Sequence, residues 1–206
     1  MPLLITITGP SGTGKDAIIK MLGKRDESIV PFITCTTRSP RPGEEEGVHY
    51  YFWTQERFQQ ALNEGEMIEH DEHYGNFYGT PKFEVERHFA LGHHTVSDIN
   101  YDGVRQIRES YGTHHMAILL LPPSKERLLS RLTGRNPDLA HEGLARYKQV
   151  EADLDHLSDE TYTFTNPDMR GSKLGNYDAV FINDDLEVTS FKVLNAIKEE
   201  AARRSL

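Results

Sequence analysis

Gly9-Pro10-Ser11-Gly12-Thr13-Gly14-Lys15-Asp16 is the stretch on which the fold turns. It fits G-x-x-x-x-G-K, and its neighbours supply the context that this spacing requires. Before it, Leu3 to Thr8 is a leucine and β-branched run that reads as a buried strand. After it, Lys15 to Lys24 carries Ile18, Ile19 and Leu22 at helical spacing. Strand, glycine-rich turn and helix open an α/β nucleotide-binding unit. Glycines let the backbone curl so that successive N–H groups point at phosphate oxygens. The positive end of the following helix favours the same anion, and Lys15 adds a charge that can reach the β- and γ-phosphates. Gly9, Ser11, Gly12, Thr13, Gly14 and Lys15 are the expected cradle.

Asp16 departs from the motif, which usually ends in a Ser or Thr hydroxyl on magnesium. Its carboxylate is a hard oxygen ligand, so it either contacts the metal, directly or through water, or caps the helix start, where an acid is favourable.

Outward from this unit, strands are expected at Thr95 to Ile99, Met116 to Leu121 and Ala179 to Ile182. Helical patterns follow near Tyr101 to Ser110, Lys125 to Leu132 and Val188 to Ala202. Alternating strands and helices predict a mostly parallel sheet covered on both faces. From about Ile33 to Tyr78 the rhythm breaks into a Thr-, Tyr-, Gly- and charge-rich segment with one clear helix, Gln55 to Asn63. It reads as an inserted lobe of mixed structure. Gly134 to His141 reads as a polar loop, and Thr163 to Gly175 has no pattern.

The 206 residues suit one domain with a small inserted part. A net charge of -9 disfavours duplex nucleic acid and anionic membranes as partners, so any polyanion must meet a focused site. The single cysteine, Cys35, allows no intrachain disulfide and is expected to be a buried, inert thiol. The start lacks a signal-peptide pattern and no apolar run is long enough for a membrane span, so the expected location is cytoplasmic. The ten histidines lack metal-site spacing and are expected at the surface or strand edges.

A second anion site is suggested by Thr36-Thr37-Arg38-Ser39-Pro40-Arg41-Pro42-Gly43-Glu44. Two guanidinium forks stand three apart in a proline-stiffened segment, and arginine suits phosphate geometry. Glu44 to Glu46 follow, so the same residues also read as a charge-balanced surface loop. Downstream lie Tyr50, Glu69 and Tyr78. Each alone is an ordinary aromatic or acid. Together, the hydroxyls can complete a phosphate shell, and a buried Glu69 can accept the N1–H and 2-amino hydrogens of guanine, a donor pair that adenine lacks.

With these residues in view, the chain resembles the guanylate kinases along nearly its whole length. The resemblance is carried by the phosphate loop, the 36–44 block, Gly47-Val48-His49-Tyr50, Gly65 to Glu69, Gly75 to Pro81, Leu121 to Ser124, Arg131 to Arg135 and Asn183 to Leu186. It implies a P-loop nucleoside monophosphate kinase of α/β class: a core (1–33, 82–133 and 158–206), a GMP-binding lobe (about 34–81) and a lid (about 134–157). It implies ATP as phosphoryl donor, magnesium, and GMP or dGMP as acceptor. By similarity Thr34, Glu69, Thr80 and Asn100 would contact guanine, and Arg38, Arg41, Tyr50 and Tyr78 would hold the GMP phosphate. Arg135 and Arg146 would close over the transferring phosphoryl. Arg131 and Asn183 would lie on the ATP side, and Asp98 near magnesium and the acceptor. Two further departures stand out. Asn100 occupies a position where the family usually has an aspartate, and Asp102 replaces a usual glutamine, so an acid is expected to have shifted along that loop. Two other readings stay open: a kinase of another phosphorylated acceptor such as a modified guanylate or a ribose bisphosphate, and a non-catalytic binding module. Both monomer and homodimer fit.

Overall fold

The computed structural model of the protein describes residues 1–73, 75–134 and 177–204. Residues 135–157 of the expected lid, with Arg135 and Arg146, and the 163–175 stretch lie outside the described residues, while Gly134 ends a helix.

The first strand, β1 (Leu4–Thr8), is buried along its whole length, as expected for a strand covered on both faces. It pairs in parallel with β7 (His94–Asp98) on one side and β8 (His115–Leu121) on the other. β2 (Ile29–Pro31) joins β7, and β9 (Ala179–Ile182) joins β8. The order is β2-β7-β1-β8-β9, all parallel. Parallel neighbours need crossovers, which α1 (Lys15–Arg25), α4 (Tyr101–Tyr111) and the other helices provide.

Alternation along β1 sorts the core. Leu3, Ile5 and Ile7 pack with Ile18 and Leu22 of α1 and Val193 and Ile197 of α6 (Leu186–Arg204). Leu4 faces the opposite way, into Val104 and Ile107 of α4 and Val85 of α3 (Lys82–Ala90). Such aliphatic side chains each stabilise by roughly 1.5–3 kcal/mol when fully buried. A further cluster joins Leu119 and Leu121 to Leu128 and Leu132 of α5 (Lys125–Gly134).

A second sheet, β4-β3-β6-β5, is built from β3 (Cys35–Thr36), β4 (Tyr51–Phe52), β5 (Met67–His73) and β6 (Asn76–Pro81). β5 and β6 are antiparallel, with Glu69 opposite Thr80 and Asp71 opposite Tyr78. α2 (Gln55–Asn63) covers it, starting at Thr54, whose hydroxyl accepts the Arg57 N–H, and burying Phe58 against Phe77. Cys35 is buried and its thiol pKa is pushed well up by burial.

Glu84 ties this sheet to the core. It is fully buried and accepts from the Ile33 N–H at 3.1 Å, the Tyr51 hydroxyl at 2.8 Å and Arg87 at 2.8 Å. A buried carboxylate persists only with such partners.

Two elements escape the sequence pattern. β2 has three residues, too few for periodicity to register. α3 places charged Glu84 on its inward face and leaves Phe83 about half exposed, which erases the apolar stripe of a helix. One expectation is corrected: His115 is not at a surface but fully buried. Its ring shares a 2.9 Å hydrogen bond with the Thr6 hydroxyl, and burial brings its pKa down to about 3. No described helix is long and apolar enough to cross a membrane.

Candidate active site

The loop after β1 takes its shape from glycine. Gly9 has φ +150°, and a Cβ there would stand 2.0 Å from the Leu120 carbonyl oxygen. Gly14 has φ +95° and forms the N-cap of α1, against the Asn183 side chain. Thr13 is buried, and its hydroxyl and N–H both turn back to the Pro10 carbonyl, at 2.8 and 3.3 Å. Thr13 therefore shapes the loop rather than offering its side chain to a ligand. Asn183, buried at the end of β9, clamps the loop by donating Nδ2 to the Thr13 carbonyl at 2.8 Å.

A cavity of about 110 Å³ opens at this loop, lined by Ser11, Gly12, Gly14, Lys15, Asp16, Ala17 and Asp98. Lys15 donates to the Gly9 carbonyl at 2.8 Å and lies 3.6 Å from the Asp98 carboxylate. The ammonium thus folds back over the loop. Asp98 keeps part of its side chain exposed, yet the loop and strands around it strip enough water to raise its pKa; Lys15 opposes that rise and Asp16 adds to it. Asp16 is exposed and does not cap α1: Gly14 holds the cap position with no side-chain bond, and Asp16 lies within the first turn, where its charge still suits the helix start. An adjoining cavity of about 370 Å³ is lined by Gly12, Gly14, Arg131 and Asn183, among others. There Arg131 donates to the Asn183 carbonyl at 2.9 Å, and the buried Asn183 Oδ1 has no hydrogen-bond partner among the described residues.

A third cavity, of about 310 Å³, lies between the two sheets and is lined by Thr34, Tyr50, Glu69, Asp71, Tyr78, Gly79, Asp98, Ile99 and Asn100. Tyr50 and Tyr78 meet edge to face, with ring centroids 6.3 Å apart. The Arg38 guanidinium lies over Tyr50, 5.5 Å from its centroid, and bonds Glu44 through both nitrogens at 2.9 and 3.0 Å. The Arg38 fork, followed by the Arg41 N–H, brings the Glu44 carboxyl down to about 2. Arg41 is exposed; its backbone N–H donates to Glu44 at 2.7 Å, and its side chain is not among those lining this cavity.

Glu69 is buried, and burial raises its carboxyl to about 7 despite a hydrogen bond from Thr80. Thr80 is fully buried behind Glu69 and does not line the cavity, so it reaches a ligand through Glu69. Asn100 caps α4, its Oδ1 accepting the Gly103 N–H at 2.7 Å, and its Nδ2 donates to Asp71. Asp102 is exposed in the first turn of α4 and does not line the cavity. The acid beside Asn100 is Asp71, on the facing strand.

Two site residues were not singled out from the sequence. Asp71 could have been found as the second position on the face of β5 that bears Glu69. Glu44 closes the arginine block itself.

Asp98, at the end of β7, lines both the loop cavity and the cavity between the sheets. A phosphate cradle with its lysine on one side, and an arginine, two tyrosines and a buried acid on the other, define a P-loop enzyme that transfers a phosphoryl group between two bound molecules. A family profile described as guanylate kinase matches residues 1–200. A guanylate kinase of Jannaschia sp. (strain CCS1) is 36% identical over 203 residues, covering 98% of this chain and 85% of that one. One of Cereibacter sphaeroides is 40% identical over 168 residues, covering 81% and 80%. The crystal structure of guanylate kinase from Anaplasma phagocytophilum superposes with a TM-score of 0.68 at 29% identity, covering 97% of this chain and 86% of that one. The chain belongs to the guanylate kinase family, and it is a nucleoside monophosphate kinase, a transferase.

Proposed function

We propose that the chain transfers the γ-phosphoryl of ATP to GMP, giving GDP, and that dGMP serves as a related acceptor. The observation that carries this reading is the position of Asp98, shared by the two cavities. Two nucleotides bound there would meet end to end, as in-line transfer requires.

In this reading the ATP phosphates lie on the amides of the 9–14 loop, and Lys15 leaves the Gly9 carbonyl to meet them. Arg131 and Asn183 flank the nucleoside. The GMP phosphate sits at Arg38, Arg41, Tyr50 and Tyr78, and its base reaches Glu69, supported by Thr80, with Thr34 and Asn100 on the same wall. Residues 34–81 form the acceptor lobe, and Arg135 and Arg146 belong to the lid that completes the site.

Asp16 and Asp98 fit a magnesium ion carried in with ATP. Magnesium typically binds through one or two carboxylates plus substrate phosphates, and these two carboxylates share a cavity with the phosphate lysine. When bound, the ion would neutralise charge on the β- and γ-phosphates. The remaining work falls to the chain: orienting two anions, masking their repulsion with Lys15 and the arginines, and keeping water out. The GMP phosphate is already an anionic nucleophile near neutral pH, so no strong base is required.

A screen of acceptors by ADP release, with ATP and Mg²⁺, tests this. Robust turnover with GMP, weaker or comparable turnover with dGMP, and none with AMP or ribose bisphosphates is expected. No turnover with either guanylate would sink the assignment. Production in the cytoplasm, where both nucleotides are available, completes the proposal.

A further inference from the structure

The wall that bears Glu69 carries a second carboxylate, Asp71. It follows Glu69 by two residues on β5, so both side chains leave the same face of the strand, and both line the cavity between the sheets. Asp71 also raises the pKa of Glu69, behind the larger effect of burial, as two like charges in one pocket must.

Asn100, between them and α4, has its carboxamide oriented by its partners. The Gly103 N–H can only donate, so it meets Oδ1, and Nδ2 donates to the Asp71 carboxyl. Asn100 therefore turns a donor toward Asp71, and the accepting charge on this side of the cavity belongs to Asp71. A carboxylate can accept several hydrogen bonds at once, the Asn100 amide and the Glu72 N–H among them here, and Asp71 lines the cavity where a base would lie.

Guanine presents more hydrogens than one carboxylate can take. Glu69 can span N1–H and the nearer 2-amino hydrogen. The other amino hydrogen points away from N1 and needs a separate acceptor. We propose that Asp71 is a specificity-determining residue that accepts this second 2-amino hydrogen and so separates guanylates from inosinate, a 6-oxopurine monophosphate without the amino group. The inference rests on the reading of the chain as a GMP kinase.

The test compares wild type with Asp71→Asn and Asp71→Ser, measuring kcat/KM for GMP and for IMP at saturating ATP. The expected result is a roughly ten- to hundredfold fall for GMP, the range of one hydrogen bond to a charged group, with IMP changed less than about threefold and the KM for ATP unmoved. A merely structural role would lower both acceptors together, so an equal fall, or none in either, overturns the proposal. Equilibrium binding of GMP and IMP provides the same ratio for a variant with weak turnover. Wild-type protein inert toward GMP would instead overturn the activity itself, before any variant is compared.

Discussion

Thr80 donates its hydroxyl to Glu69 Oε1 at 2.6 Å, directly across the β5–β6 pair. The bond favours the ionised acid, while burial opposes it and brings Glu69 to about 7. If guanine donates two hydrogens to Glu69, the acid must be ionised to receive them. GMP use should then rise with pH and level off above about 7. Thr80→Val removes the favourable bond, raises Glu69 further, and should move the pH profile of kcat/KM for GMP toward alkali by roughly one unit or more. An unmoved profile would exclude Glu69 as the titrating group.

The same burial makes Glu69 a source of instability. Its folded pKa lies above the ordinary value of 4.5. The folded state therefore binds the extra proton, and stability falls as pH rises from about 4.5 to 7. Glu69→Gln should be more stable than wild type at pH 8, by roughly 1–3 kcal/mol, with the gain vanishing near pH 5. GMP turnover should collapse in the same variant. Urea unfolding at the two pH values checks the sign.

Arg41 is exposed, and its backbone N–H is bonded to Glu44. Replacing its side chain should leave the fold intact. Arg41→Met should raise the KM for GMP roughly tenfold or more and lower kcat, with the KM for ATP within about twofold. Wild-type kinetics in an ADP-release assay would remove Arg41 from the acceptor site.

Gly9 and Gly43 both have positive φ, +150° and +85°, but their surroundings differ. A methyl at Gly9 meets the Leu120 carbonyl oxygen at 2.0 Å, whereas at Gly43 no described residue beyond its chain neighbours lies within 4 Å. Gly9→Ala should lower stability by more than about 3 kcal/mol, because a core strand must move. Gly43→Ala should cost about 1–2 kcal/mol, the conformational penalty alone. Thermal unfolding of the pair separates strain from collision.

Much of the parallel sheet was legible because its strands are buried on both faces and read as apolar runs, as Leu3 to Thr8 and Met116 to Leu121 do. The phosphate loop was legible because its function depends on backbone conformation, which glycine spacing controls. The role of Glu84 was not, because an inward-facing charge resembles a surface charge until its partners are in place. Thr13 and Thr80 carry hydroxyls that suit a ligand, yet packing turns both toward the protein.

The phosphate cradle, the longer core strands with the helices that follow them, and the resemblance that names the acceptor were all readable along the chain, because each depends on local conformation or on residues close in sequence. That Asp98 borders both cavities, and that Asp71 rather than Asp102 stands beside Asn100, emerges from packing alone. Asp71 and Asn100 are 29 residues apart, and strand register and helix packing, which bring distant segments together, decide which side chains share a cavity.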